Sequence, residues 1–163
     1  MLPPAMFLKC YVEVPLPYAQ VRERMASQPG TWLGNLTDAA QRDGDRLLVE
    51  VGLTAAGHRL RRSASLETGS MRSDERVALL PVRLSIDDGN RLFPTMEGTL
   101  DAAWLGDRRS QLALALRYSP PLGLVGQAVD RALLHRVTET VMRSFLEAAA
   151  ARLVLDQSAG AGR

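Results

Sequence analysis

Leu8, Cys10, Val12 and Val14 alternate with Lys9, Tyr11 and Glu13 near the start of the chain, the period-two pattern of a strand with one face buried. Pro15 and Pro17 remove backbone donors and end that strand. Residues 18–27 are helix formers with Val21 and Met25 four apart on one face, and they predict a short helix. A further turn of helix is predicted over 33–40.

Alternation returns over 46–53, where Leu47, Val49, Val51 and Leu53 share a side. Ala55-Ala56-Gly57 supplies a loop into a strand over 58–68, so the two segments pair as a hairpin. Residues 75–86 set Leu80, Val82, Leu84 and Ile86 against Leu79, Pro81, Arg83 and Ser85, and Asp87-Asp88-Gly89-Asn90 has the side-chain chemistry of a turn. The last hairpin joins 92–104 to 108–118 through Leu105-Gly106-Asp107, with Leu112, Leu114, Leu116 and Tyr118 on one face. The pattern thus predicts about six strands in meander order.

Ser119-Pro120-Pro121 stops the sheet. Beyond it Val125, Val129, Leu133, Val137, Val141 and Phe145 recur at helical spacing, predicting one long helix over 122–155. Glu139 precedes Arg143 by four residues, and Arg131 and Arg136 lie off the stripe, so the opposite side is wet. The residues from Asp156 onward have little to bury and read as a disordered tail, leaving residues 1–155 as a single domain without repeat or linker.

A chain of 163 residues can bury about 70% of its unfolded surface, and 46% hydrophobic with 23% charged residues is an ordinary globular composition. Lys9 is the only lysine, so 19 of the 20 basic residues are arginine. The formal charge is only +2 and the two signs are interspersed, which argues against nucleic acid as a partner. The lone Cys10 rules out an internal disulfide and makes the cytoplasm the default location. The first 14 residues make a poor signal peptide, with Pro3, Pro4 and Lys9 interrupting them, and no apolar run is long enough to span a membrane.

A twisted antiparallel sheet curls, and one helix touches it along a single line, so the concave side is either filled by large side chains or left as a cavity. The order of strand, short helices, meandering strands and long C-terminal helix resembles the START-like, or SRPBCC, superfamily, which includes polyketide cyclase-like proteins. The likeness is strongest over 92–153, where a strand runs through Pro120-Pro121-Leu122-Gly123 into a helix opening on Asp130-Arg131. The resemblance implies an α+β helix-grip fold and a small apolar molecule as ligand. It assigns no catalytic residue, because one scaffold hosts many functions.

The expected ligand-binding wall comprises Leu80, Val82, Leu84, Leu112, Leu114 and Leu116, with Met96 and Trp104 near its mouth and the helix stripe from Val125 to Phe145, including Val129, Leu133, Val137 and Val141. Trp32 is another large side chain expected near it. Met96 and Leu100 alternate with Thr95, Glu97, Thr99 and Asp101, and facing the apolar set inward leaves Glu97 wet. An inward Glu97 would instead be a proton donor, while Arg62 and Tyr118 are the other candidates for chemistry. His58 and His135 sit in no nucleophile motif, no set of ligands has metal spacing, and no glycine-rich phosphate loop appears, so neither metal nor cofactor is expected. Three functions follow: a carrier or sensor of a lipid, aromatic or polyketide-like molecule; a cyclase or aromatase acting on such a molecule; or an interaction module, monomeric or homodimeric, using Leu134, Met142 and Leu146 on the helix flank.

Overall fold

A computed structural model describes residues 5–27, 63–87, 95–119 and 131–160. The elements are β1 (Met6–Val14), α1 (Tyr18–Ala26), β2 (Ser63–Thr68), β3 (Arg72–Ser73), β4 (Val77–Asp87), β5 (Met96–Gly106), β6 (Arg109–Tyr118) and α2 (Arg131–Gly160). The predicted helix over 33–40, the strand over 46–53 with its hairpin loop, and the turn at 88–90 lie outside the described residues.

All six strands form one antiparallel sheet in the order β1-β6-β5-β4-β2, with β3 paired to β4. The first strand therefore crosses to pair with the last. Side-chain alternation gives the sheet an inner face on which register aligns Leu8, Leu116, Gly98, Val82 and Thr68 in one row, and Cys10, Leu114, Leu100 and Leu80 in the next. Leu80, Leu100 and Leu112 are fully buried there, while Phe7, Tyr11 and Leu79 point outward and are exposed. α2 lies over the inner face against β1 and β6, and α1 covers the far end of β5 and β6.

Where α2 meets the sheet it buries Val141, Met142, Phe145, Leu146, Ala149, Ala150 and Leu153. This stripe is wider than the four-residue spacing in the sequence shows. Met142 and Leu146 are 1% exposed, so the apolar flank expected on the outside of the helix is core instead. The helix also continues to Gly160, past the point at Asp156 where disorder was expected. An Arg24 guanidinium nitrogen donates to the Leu153 carbonyl and ties α1 to α2, and the buried Ser110 hydroxyl donates to the Leu16 carbonyl at 2.7 Å.

The β5–β6 hairpin turns at Asp107 and Arg108, two residues later than Leu105. Trp104 pairs with Ser110 and Gly106 with Arg109, which leaves Leu105 as the extra residue of a bulge. Gly106 takes a φ of +147°, a region costly to residues with a β-carbon. The short β3 has no periodicity to betray it, being two polar residues held by Leu79 and Ala78 of β4.

Asp74 organises the turn into β4. Its Oδ1 accepts the backbone N–H groups of Arg76 at 2.7 Å and Val77 at 2.8 Å, while its carbonyl accepts the Tyr18 hydroxyl at 2.9 Å. The two backbone bonds hold its carboxyl below the usual range. A depressed folded pKa contributes stability that is present above the unfolded value of about 4 and is lost as pH falls through the folded one. Asp74→Asn keeps the acceptor and removes the titration. Its melting temperature should therefore fall less steeply than wild type between pH 5 and 2.5 in a differential scanning fluorimetry series.

Candidate functional site

Between the inner face and α2 lies a small cavity. Leu66, Val82 and Leu84 line it from β2 and β4, Leu114 and Leu116 from β6, and Val141, Met142 and Phe145 from the helix. Every lining group is apolar. Between Leu116 and Val82 the row is completed by Gly98, which adds no side chain to the floor. The void is about 10 Å³, room for about one water-sized sphere. Met142 and Phe145 are buried in its wall, and a larger guest enters only if lining side chains move.

Among the expected wall residues, Val82, Leu84, Leu114, Leu116 and Val141 line this cavity. Leu80, Leu112 and Met96 are buried but belong to the surrounding core. Leu66 and Met142 line it as well, although the alternation marks Leu66 only as one of a mixed strand face and the helix stripe omits Met142. Trp104 does not line it: the side chain is 47% exposed near the end of β5, with the Arg76 guanidinium 5.4 Å from its ring centroid. Val129 and Trp32 lie outside the described residues, as do the side chains of Leu133 and Val137.

Two of the three candidates for chemistry, Glu97 and Tyr118, are among the described residues. Glu97 is on the outer face, where it forms an ion pair with Arg83 across the β4–β5 ladder, so the wet orientation holds and a buried proton donor is excluded. Both partners are more than half exposed. Glu97→Gln should accordingly change unfolding free energy by less than about 1 kcal/mol in a urea titration. Arg62 and His58 lie outside the described residues.

Tyr118 turns inward, 1% exposed, in the row of Met96, Leu84 and Leu66. Its hydroxyl lies 3.4 Å from His135 Nδ1 and is hydrogen-bonded to Thr138, which is itself buried one turn before Val141 and Met142. Burial pushes the phenol above its ordinary value, with the Thr138 bond opposing that shift, so Tyr118 keeps its proton at neutral pH. The alternation of β6 marks the tyrosine as inward but pairs it with neither partner, because a contact between the end of β6 and α2 is tertiary. No group of three histidine, cysteine, aspartate or glutamate side chains among the described residues is placed to hold a metal ion.

A second, open depression of about 270 Å³ runs along the β1 edge of the sheet, between Lys9, Tyr11 and the helix residues Glu139, Arg143 and Glu147. It is rimmed by charges of both signs. Cys10 forms part of its floor, but burial raises the thiol pKa, Arg143 lowering it and Glu139 raising it less strongly, which makes a poor nucleophile. No helix among the described residues is long and apolar enough to cross a membrane.

No protein-family model and no curated protein matches the sequence. Solved structures do match. A conserved protein of Geobacillus kaustophilus superposes with a TM-score of 0.55 at 14% identity, over 93% of this chain and 97% of that one. The Zhui aromatase/cyclase of Streptomyces sp. R1128 is similar over 98% and 100% of the two chains, at 15% identity and a TM-score of 0.48. A norcoclaurine synthase of Thalictrum flavum matches over 90% and 98% at 10% identity and a TM-score of 0.41. With one curved antiparallel sheet, its first and last strands paired, closed over a long C-terminal helix, the chain has a helix-grip α+β fold, in common with the Geobacillus protein.

Proposed function

We propose that this protein binds a small hydrophobic molecule between the sheet and α2, as a carrier or sensor acting in the cytoplasm. The observation that carries the reading is the wholly apolar lining of the cavity, built from three strands and the helix that closes them. Apolar walls supply affinity, and a few polar groups supply orientation. Met142 has three rotatable bonds and a polarisable sulfur, so it repacks around a guest at low cost. Phe145 beside it is the second side chain that must turn.

A cyclase-type enzyme is the second reading. The observation favouring it is the juxtaposition of the Tyr118 hydroxyl and the His135 imidazole at one end of the apolar space. The test of the first reading is native mass spectrometry of the protein as purified, with extraction and identification of any passenger, followed by thermal shift against a panel of lipids and fused aromatics. A stoichiometric passenger, or a melting temperature that rises with ligand concentration, supports it. A clean mass together with no shift across the panel sinks it.

A further inference from the structure

Resting on the reading of the inner cavity as a ligand site, we propose that its ligand carries a hydrogen-bond-accepting oxygen, a ketone or aldehyde carbonyl in the first instance, which takes its hydrogen bond from the Tyr118 hydroxyl. Tyr118 and Thr138 are buried hydroxyl residues close in register or in sequence to lining residues, and the cavity lining itself offers no polar group. The register carries the placement. Tyr118 shares its row with Leu84 and Leu66, which line the void, and Thr138 precedes Val141 and Met142, which line it from above.

The contact between the Tyr118 hydroxyl and His135 is loose. An O–H donor normally sits about 2.8 Å from its acceptor, whereas here the separation to His135 Nδ1 is 3.4 Å. Thr138 gives the phenol oxygen its other bond, so the hydroxyl stays oriented when its proton turns to a guest. The half-buried His135 then keeps its exposure to water, and little is lost by the exchange. A saturated hydrocarbon in the same space leaves the tyrosine as it stands and gains nothing from it.

The test uses a pair of probes of nearly equal shape, 2-acetylnaphthalene and 2-ethylnaphthalene, titrated calorimetrically into the full chain. The ketone should bind about three- to tenfold more tightly, the range for one hydrogen bond to a neutral group. Tyr118→Phe should bring the ratio of the two affinities to about one. As a measurement that needs no variant, the carbonyl stretch of bound 2-acetylnaphthalene should move to lower frequency than in cyclohexane. Equal affinities with an unshifted carbonyl, or a ratio that survives Tyr118→Phe, overturn the inference and leave the apolar site intact. Failure of both probes to bind overturns the inference together with the cavity reading beneath it.

Discussion

Replacing Gly98 by alanine should destabilise the protein by about 3 kcal/mol or more, seen as a lower urea midpoint with an unchanged slope. A β-carbon at Gly98 would come 1.8 Å from the Ala115 carbonyl oxygen, 2.8 Å from its carbonyl carbon and 3.0 Å from the Leu116 α-carbon. These are backbone atoms of β6, and no rotamer moves them aside. Relief requires β5 and β6 to part near the middle of the sheet, where the Gly98–Leu116 pair is flanked by Leu100–Leu114 and Met96–Tyr118. Compared with Gly69, where a β-carbon meets only the Pro81 ring at 3.0 Å, the cost should be clearly larger. A Gly98→Ala protein as stable as wild type would show that the close approach of the two strands is not required by the fold.

Phe145→Ala should cost about 3–5 kcal/mol, because the ring is 4% exposed and its loss leaves a hole that rigid β-strands cannot collapse to fill. The same change enlarges the cavity it lines from about 10 Å³ toward the size of an aromatic guest. The variant should therefore melt well below wild type alone, yet gain more than wild type when 2-ethylnaphthalene is added, since a ligand that binds only the folded state stabilises it by mass action. Circular dichroism melts with and without the probe measure both effects. Loss of stability without any gain from the probe would mean that the sheet and helix close over the gap, and that the space beneath Phe145 does not hold guests.

Local pattern read well where a segment is amphipathic in its own right. β1 appears where the alternation predicts it because Leu8, Cys10 and Val14 face one way and Lys9, Tyr11 and Glu13 the other, and α1 ends one residue short of the 18–27 span. β4 and β6 follow the same rule. Inward facing of Met96 and Leu100, which decides that Glu97 is wet, was also legible, since burying one set of alternating residues is favourable only for the apolar one. The helix is where periodicity fell short. A stripe drawn at every fourth residue catches Val141 and Phe145 but omits Met142 and Leu146, because a helix seated in a concave sheet is covered on two sides of its contact line.

The class of fold, the strands with an alternating pattern, the outward face of β5 and the apolar character of the surface under the long helix are legible in the residues alone. These follow from alternation, helical spacing and proline placement, all of which act within a few residues. The pairing of β1 with β6, the contact of Tyr118 with His135 and Thr138, and the need for a residue without a side chain at Gly98 come from the assembled fold. Each depends on atoms more than 10 residues apart brought together by strand register and sheet curvature, which no local pattern encodes.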